Sequence, residues 1–249
     1  VKGRILCDGT VHEDFDIGQA TEVAEALEQA QVESLAVCFL FSYVNPVHER
    51  KMKEILDALD LPVSLSHEIL SEFREFERTS TTVINAYVSP IMKKYISFIM
   101  DHLGGGDSLR VMQSNGGSIS AEIAMAESVR TISSGPAGGA VGAFEIGKLA
   151  GYDNLITFDM GGTSTDVALI EGALPLTVES SIAGYPVKVP MIDIHTVGAG
   201  GGSIAYRDIG GSLKVGPESA GADPGPICYG KGEQITVTDA NLFLGRLVP

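Results

Sequence analysis

The residues of this chain best suited to chemistry lie in the segment LITFDMGGTSTDVALIE, from Leu155 to Glu171. An apolar strand is predicted to end at Asp159, a tight glycine turn follows, and a second strand is predicted to begin near Asp166. Glycines let the backbone approach a ligand closely, and consecutive N–H groups in such a turn can bind an anion. Carboxylates repel bare phosphate but become favourable when Mg²⁺ lies between them. The pattern therefore predicts a phosphate and Mg²⁺ site, and the alternative is an ordinary hairpin with a polar turn.

The residues of this hairpin divide into two predicted roles. Asp159 and Asp166 are the candidate catalytic groups, as Mg²⁺ ligands or as groups that orient an attacking water. The pattern does not tell which carboxylate has which role. The turn residues are expected to contact phosphate oxygens through N–H groups and hydroxyls. They are Gly161, Gly162, Thr163 and Ser164.

A second glycine-rich segment follows another predicted strand. We expect it to wrap phosphate or substrate, although glycine runs also serve tight turns. Its candidate cofactor-binding residues are Gly198, Gly200, Gly201, Gly202 and Ser203.

Two further pairs of residues are candidates for contact with substrate. Asp193 and His195 alternate along a predicted strand, so both side chains are expected on one face, where they could bind a metal or act on substrate. The alternative is a histidine that is simply hydrogen-bonded. Arg74 and Arg78 lie four positions apart on a predicted helix, so they share a face and could anchor an anion. Their alternative is salt bridging to neighbouring glutamates.

The first half of the chain alternates helix and strand signals, which favours an α/β domain with a largely parallel sheet. Pro90 is expected to break or restart the longest helix, and Gly104–Gly106 to end it. The predicted helices are 21–31, 46–59 and 69–102, and the predicted strands are 34–41, 62–65 and 109–113.

The second half begins with a turn that enters a helix of small residues, SGPAGGAVGA from Ser134 to Ala143. Glycine and alanine permit close packing of such a helix against a neighbour, and the alternative is a flexible linker. The predicted helix is 137–150, and the predicted strands are 155–159, 165–170, 174–178 and 187–194. The change in character predicts a domain boundary near residue 135.

Composition narrows the classes of partner and compartment. A net charge of −15 over 249 residues disfavours nucleic acid and anionic membrane surfaces as partners. No apolar run is long enough to span a membrane. The three cysteines are scattered, which argues against a disulfide framework and predicts a cytoplasmic location. Cys228 is predicted to be buried and structural.

The small-residue helix followed directly by strand–DxGGTxTD–strand resembles the interdomain connection and second phosphate loop of the actin-like ATPase superfamily. The resemblance implies ribonuclease H-like α/β lobes with ATP between them. Residues 1–135 would form the C-terminal part of the first lobe. Residues 136–249 would form the start of the second lobe, with the connecting helix and phosphate hairpin. No first D-x-G-G-T loop precedes residue 159, so a fragment of the two-lobe nucleotide-binding fold is expected.

Four more blocks resemble the hydantoinase/oxoprolinase family of hydantoinase A type. They are EFREFERTSTTVIN (72–85), VGAGGGSIA (197–205), VGPESAGADPGPICY (215–229) and TVTDANLFL (236–244). The resemblance implies ATP and Mg²⁺ as cofactors, a second enzyme subunit as partner, and ring opening of a cyclic amide such as a hydantoin or 5-oxoproline. Phosphorylation of the amide oxygen would activate the ring. The alternatives are the ATP-using subunit of a ketone carboxylase and a non-catalytic partner-binding module.

Overall fold

The computed structural model describes residues 1–103, 109–178, 180–182 and 184–248. No helix within these ranges is long and apolar enough to cross a membrane. The α-helices are α1 (Ile17–Gln29), α2 (Val47–Leu56), α3 (Ser66–Ile69), α4 (Glu75–Leu103), α5 (Ala121–Ala126), α6 (Ser134–Leu149) and α7 (Val237–Phe243).

Short strands lie before and between these helices, which confirms the predicted α/β class. In the first half they are β1 (Arg4–Ile5), β2 (Val11–Glu13), β3 (Leu35–Val37), β4 (Val63–Leu65), β5 (Arg110–Met112) and β6 (Ser118–Ser120). In the second half they are β7 (Asn154–Ile156), β8 (Asp159–Met160), β9 (Thr165–Val167), β10 (Leu169–Glu171), β11 (Leu176–Thr177), β12 (Ser180–Ile182), β13 (Tyr185–Val187), β14 (Met191–Ile192), β15 (His195–Val197), β16 (Ser203–Arg207) and β17 (Leu213–Ser219).

A largely parallel sheet is predicted for the first half of the chain, and within its described residues β3 with β4 is parallel as expected, whereas β1 with β2 and β5 with β6 are antiparallel. Among strand pairs with a defined register in the described ranges, β3 with β4 is parallel and the others are antiparallel. A parallel pair needs a long crossover connection, which α2 provides between β3 and β4. Many strands of the second half are instead joined by turns of a few residues, and such turns produce antiparallel pairs.

The chain divides into two compact units. The first comprises Val1–Ser134 and Leu176–Met191, and the second comprises Gly135–Pro175 and Ile192–Pro249. The predicted continuous range 136–249 is therefore interrupted. The cause is apolar packing, because Val187, Val189 and Met191 share a buried cluster with residues of the first unit, Ile69 and Val129. Assignment of the units to lobes of an ATPase stays a prediction.

Helix α4 continues through Pro90 instead of breaking there. Buried Asn85 explains how the helix is held in place near the proline. Its side chain donates to Ser64 Oγ at 2.9 Å and to the Ala126 carbonyl at 3.0 Å, and it accepts from the Val129 N–H at 2.9 Å. Tertiary bonds of this kind offset the backbone hydrogen bond that a proline removes. The predicted helix end at 104–106 lies outside the described residues.

Candidate functional site

The predicted glycine hairpin forms in the second unit from β8 and β9, which pair antiparallel. Asp159 lies directly opposite Asp166, and Met160 lies opposite Thr165. The four-residue tip is closed by a hydrogen bond of 2.9 Å from the Gly161 N–H to the carbonyl of Ser164. The D-x-G-G-T-x-T-D spacing thus places its two aspartates at the same level of the hairpin stem.

The two carboxylates face one groove. Directly opposed residues of an antiparallel pair point to the same side, with Cβ atoms about 5 Å apart. Both Asp159 and Asp166 line a cavity of about 360 Å³ together with Thr157 and Ile194. Asp166 Oδ1 accepts a hydrogen bond of 2.6 Å from Thr196 Oγ1. The side chain of Asp159 has no hydrogen-bond partner within the described ranges, so its carboxylate is available to a ligand.

Helix α6 forms the other wall of this groove through small residues on one face. Pro136, Gly139, Ala140 and Ala143 line the cavity. A Cβ atom on Gly139 would lie 3.8 Å from Asp159 Oδ2, so the carboxylate lies directly over the helix at this glycine. The small-residue sequence therefore keeps the space in front of the carboxylates open, and the linker alternative is wrong.

The tip of the hairpin has donors that are not used within the protein. Gly161, Gly162 and Thr163 are exposed. In the part of the chain that the structure describes, the N–H groups of Gly162 and Thr163 and the hydroxyls of Thr163 and Ser164 have no hydrogen-bond partner. Such a turn fits a phosphate group, because it presents several donors to one anion.

The carboxylates also fit Mg²⁺, provided that a phosphate completes its coordination. The described residues contain no group of three or more histidine, cysteine, aspartate or glutamate side chains that could hold a metal ion. Mg²⁺ commonly keeps several waters and is held by one or two carboxylates plus phosphates of the substrate. Asp159 and Asp166 match that donor set.

The second glycine segment is a loop between β15 and β16, and it packs on the hairpin tip. The Gly201 N–H donates to the Gly161 carbonyl at 2.9 Å, and the Gly202 N–H donates to the Gly162 carbonyl at 2.6 Å. Glycine is required for this close approach. A Cβ atom on Gly200 would lie 2.7 Å from the carbonyl oxygen of Gly161. This loop, residues 198–202 and called the clamp loop below, therefore holds the turn in place through two backbone hydrogen bonds.

This packing corrects the prediction that residues 200–203 contact the cofactor directly. The Gly200 N–H donates to Ser203 Oγ at 2.9 Å, and the Ser203 N–H donates to the Gly200 carbonyl at 3.0 Å. Ser203 is fully buried. Because the four N–H groups of residues 200–203 are all used inside the protein, they are not free to bind phosphate. Gly198 is exposed and stays a candidate.

The clamp loop is in turn held by the start of α7. Thr238 donates from both its N–H and its hydroxyl to the Gly201 carbonyl, each at 2.8 Å. A capping box formed by Thr236 and Asp239 begins the helix. Desolvation alone would raise the pKa of Asp239, but hydrogen bonds from Cys228 and Thr236 lower it to about 2.

Replacing Asp239 by alanine should lower the free energy of unfolding at pH 7 by about 1 kcal/mol, as expected for loss of a helix cap. Because the pKa in the folded state is about 2 and the ordinary value is 3.8, this contribution is present above about pH 4 and is lost as pH falls toward 2. Denaturant unfolding of both proteins at pH 7 and at low pH measures it. The control is Glu233→Ala, which removes an exposed carboxylate from a position close in sequence. A deficit of equal size at both pH values would contradict this account.

Asp193 and His195 are not brought to the carboxylate face. In the antiparallel pair of β15 with β9, Thr196 lies opposite Asp166 and His195 lies opposite Val167. Side chains alternate along a strand, so His195 points away from the face that carries Asp166. Both predicted residues are exposed. A role for them in substrate binding stays a prediction.

Arg74 and Arg78 belong to the first unit and do not share a helical face. Arg74 precedes α4, has a φ of 77°, and pairs with Glu77 at 3.5 Å. Arg78 is 1% exposed and donates to the carbonyls of Glu72 and Phe39 at 3.0 and 2.9 Å. The alternative of salt bridging describes Arg74, whereas Arg78 holds two backbone segments together. Nothing in this geometry favours Arg78 as an anion anchor.

The site also contains residues that the sequence patterns did not single out. Thr157 lines the groove, the Thr196 hydroxyl donates a hydrogen bond to Asp166, and the Thr238 hydroxyl donates one to the clamp loop. Extending the alternation of the predicted strand 187–194 two residues past Ile194 is the signal that could have placed Thr196 on the groove side. Cys228 is exposed, which corrects the prediction of a buried cysteine.

Comparison with known proteins identifies relatives along almost the whole chain. The family model described as hydantoinase/oxoprolinase matches residues 78–249, and the model of the N-terminal region of the same family matches residues 1–59. The caprolactamase subunit alpha of Pseudomonas jessenii is 42% identical over 99% of this chain, and the 5-oxoprolinase of Saccharomyces cerevisiae is 40% identical over 94%. This chain spans 36% of the first relative's length and 18% of the second's.

A solved structure of acetone carboxylase in its nucleotide-free form, from work on ATP-dependent acetone carboxylation, has the same fold. It matches 99% of this chain and 36% of its own, with a TM-score of 0.80 and 32% identity. The family model alone covers more than half of the chain, and the structural likeness agrees with it. The chain belongs to the hydantoinase/oxoprolinase family.

Proposed function

We propose that this chain supplies the phosphate-binding and metal-binding part of an enzyme that opens a cyclic amide, such as a hydantoin or 5-oxoproline, at the expense of ATP. The observation that carries the proposal is the pair of directly opposed carboxylates, Asp159 and Asp166, facing one groove beside a turn with unused donors. Neither feature alone points to a nucleotide. Together they match the two needs of a Mg²⁺-bound phosphate chain, which are N–H donors and carboxylates.

In this proposal the hairpin tip binds phosphate and the two aspartates bind the metal ion. The N–H groups of Gly162 and Thr163 and the hydroxyls of Thr163 and Ser164 bind and orient the terminal phosphates. Asp159 and Asp166 would hold the divalent ion, which would neutralise charge on the transferring phosphoryl group. An amide carbonyl is a poor electrophile, and transfer of the terminal phosphoryl group of ATP to its oxygen, with release of ADP, makes the carbon reactive toward water. Cleavage of the C–N bond after water adds opens the ring to an acyl phosphate, and a second water hydrolyses this to the carboxylate and phosphate. The small residues of α6 leave room in front of the carboxylates.

Relatives support the substrate class without deciding it. One carries the name caprolactamase and another 5-oxoprolinase, and both names denote action on a cyclic amide. Because the chain covers only part of each relative, the residues that recognise the ring are not assigned. We further propose a second subunit, since the caprolactamase relative is named as a subunit. A cytoplasmic location suits the three free cysteines.

A second candidate is the ATP-using part of a ketone carboxylase. The observation that favours it is the TM-score of 0.80 with acetone carboxylase over 99% of this chain. In this case the same groove would activate an enolate oxygen in place of an amide oxygen. The geometry of Asp159 and Asp166 serves both reactions, so the substrate must be decided by experiment.

The experiment measures ATP hydrolysis by the intact natural protein, with any co-purifying subunit, in the presence of Mg²⁺. Hydantoin, 5-oxoproline and caprolactam form one panel, and acetone or acetophenone with bicarbonate forms the other. Stimulation by a cyclic amide alone supports the first proposal, and stimulation by ketone and bicarbonate supports the second. Failure to bind Mg-ATP by calorimetry would reject both and leave a partner-binding role.

A further inference from the structure

We propose that Thr196 is a positioning residue that fixes the orientation of Asp166 and thereby separates the roles of the two groove carboxylates. The inference rests on the proposed function, because it concerns the same site. It answers a question that the D-x-G-G-T-x-T-D pattern leaves open, namely which aspartate is held and which is free.

The contact itself is short and specific. Thr196 Oγ1 donates to Asp166 Oδ1 at 2.6 Å. Hydrogen bonds to an ionised acceptor are shorter and roughly twice as strong as neutral ones. The second oxygen of Asp166 has no partner in the described part of the chain. The bond thus takes one oxygen of the carboxylate and leaves the other for the groove.

The backbone around Thr196 holds its hydroxyl in place. Strand β15 pairs with β9 at three successive positions, with Thr196 at the middle one opposite Asp166. Just beyond the strand, Thr165 Oγ1 donates to the Ala199 carbonyl at 2.6 Å. Ile194 lines the cavity, and side chains two positions apart point to the same face, so Thr196 also faces the groove side.

Asp159 has a different environment on the neighbouring strand. Its side chain accepts no hydrogen bond from the described residues, and a Cβ atom added to Gly139 of the facing helix would lie 3.8 Å from its Oδ2. Asp159 is therefore free to rotate toward an incoming ion. Asp166 is held before the ligand arrives, so its side chain loses less conformational freedom when the ion binds. We assign Asp159 as the adaptable metal ligand and Asp166 as the fixed one.

A purely structural role for Thr196 would predict something else. A solvent-exposed hydrogen bond contributes about 1 kcal/mol or less to stability, so its loss would slightly lower the melting temperature and leave the Mg²⁺ dependence unchanged. A positioning role predicts instead that the Mg²⁺ dependence changes. Loss of a residue that orients a metal ligand typically lowers metal affinity or activity about 10- to 100-fold.

The test compares Thr196→Val, which keeps the shape and removes the hydroxyl, with Thr196→Ser, which keeps the hydroxyl. In the intact natural protein, we expect Thr196→Val to weaken Mg²⁺ binding, measured by calorimetry in the presence of a non-hydrolysable ATP analogue, by about 10-fold, and to raise the Mg²⁺ concentration for half-maximal ATP hydrolysis or lower kcat by a similar factor. The KM for the ring substrate should not change, and Thr196→Ser should stay within about 3-fold of the natural protein. Thr21→Val, an exposed threonine on α1, is the control.

A double-mutant cycle makes the proposal independent of any folding effect. In an Asp166→Ala background, Thr196→Val should cause no further loss, because the acceptor oxygen of the bond is already removed. An equal loss in both backgrounds, or a Thr196→Val protein with natural Mg²⁺ dependence and kcat, would overturn the role of Thr196. If Asp159→Asn also left ATP hydrolysis unchanged, the proposed function itself would be rejected. A defect at Asp159 with none at Thr196 rejects only the present inference.

Discussion

Replacing Asp159 by asparagine should lower ATP hydrolysis by the intact natural protein by roughly 100-fold or more, a size typical for loss of one catalytic side chain. The substitution keeps the shape and removes the negative charge. Asp159 faces the groove without a partner in the described residues, so the folded protein loses no internal bond. We therefore expect the loss in activity with little change in stability. Steady-state hydrolysis at saturating Mg-ATP and thermal unfolding of the same preparation measure the two quantities.

Glu171→Gln is the matched control for this prediction. It removes one carboxylate charge from β10, and the side chain is exposed and does not line the groove. Its activity should stay close to that of the natural protein. If Asp159→Asn and Glu171→Gln had equal activity, the groove could not be the place where phosphate chemistry occurs. The assignment of this chain to the ATP-using part of an enzyme would then lose its main support.

Replacing Gly200 by alanine should destabilise the second unit by about 1–3 kcal/mol, the usual cost of overpacking a site that cannot relax. A Cβ atom at this position would lie 2.7 Å from both the Gly161 carbonyl oxygen and the Ser164 nitrogen. These are backbone atoms, so no side chain can rotate away to relieve the clash. The hairpin tip must shift, and we expect ATP hydrolysis to fall with stability. Denaturant unfolding measures the first effect.

Gly198→Ala provides the comparison from the same loop. Its added Cβ atom would meet nothing within 4 Å, and its φ lies outside the left-handed region. We expect the free energy of unfolding to change by less than about 0.5 kcal/mol, as for ordinary surface substitutions. If both alanine variants were equally stable, the clamp loop would not press on the hairpin tip as the structure indicates.

The sequence carried enough information to predict the hairpin and its aspartates, because the signal was local. A short apolar strand, two glycines and a second apolar strand determine a hairpin. Their spacing alone places Asp159 level with Asp166. The small-residue helix before it was predictable for the same reason. The fold class followed from the alternation of helical and strand periods in the first half of the chain.

Other features depend on contacts between distant segments, which a single sequence does not show. The second glycine loop supports the turn because the N–H groups of Gly201 and Gly202 donate hydrogen bonds to the hairpin. Arg78 is buried by the fold, so its guanidinium donates to backbone carbonyls and not to a ligand. The register of β15 against β9 decides that Thr196, and not His195, meets Asp166. Each is a matter of which segment packs where, and local residue patterns do not specify it.

The dependence of the glycine turn on Thr238 has a consequence for synthesis on the ribosome. Gly161 leaves the ribosome before the helix that holds its supporting loop. Until Val237–Phe243 has emerged and folded, Gly201 lacks its acceptor bonds from Thr238, and the turn has no complete support. We expect a nascent chain stalled before residue 237 to present this turn in a protease-sensitive form. The proposed binding of phosphate by the turn would then be acquired only after this later helix has folded.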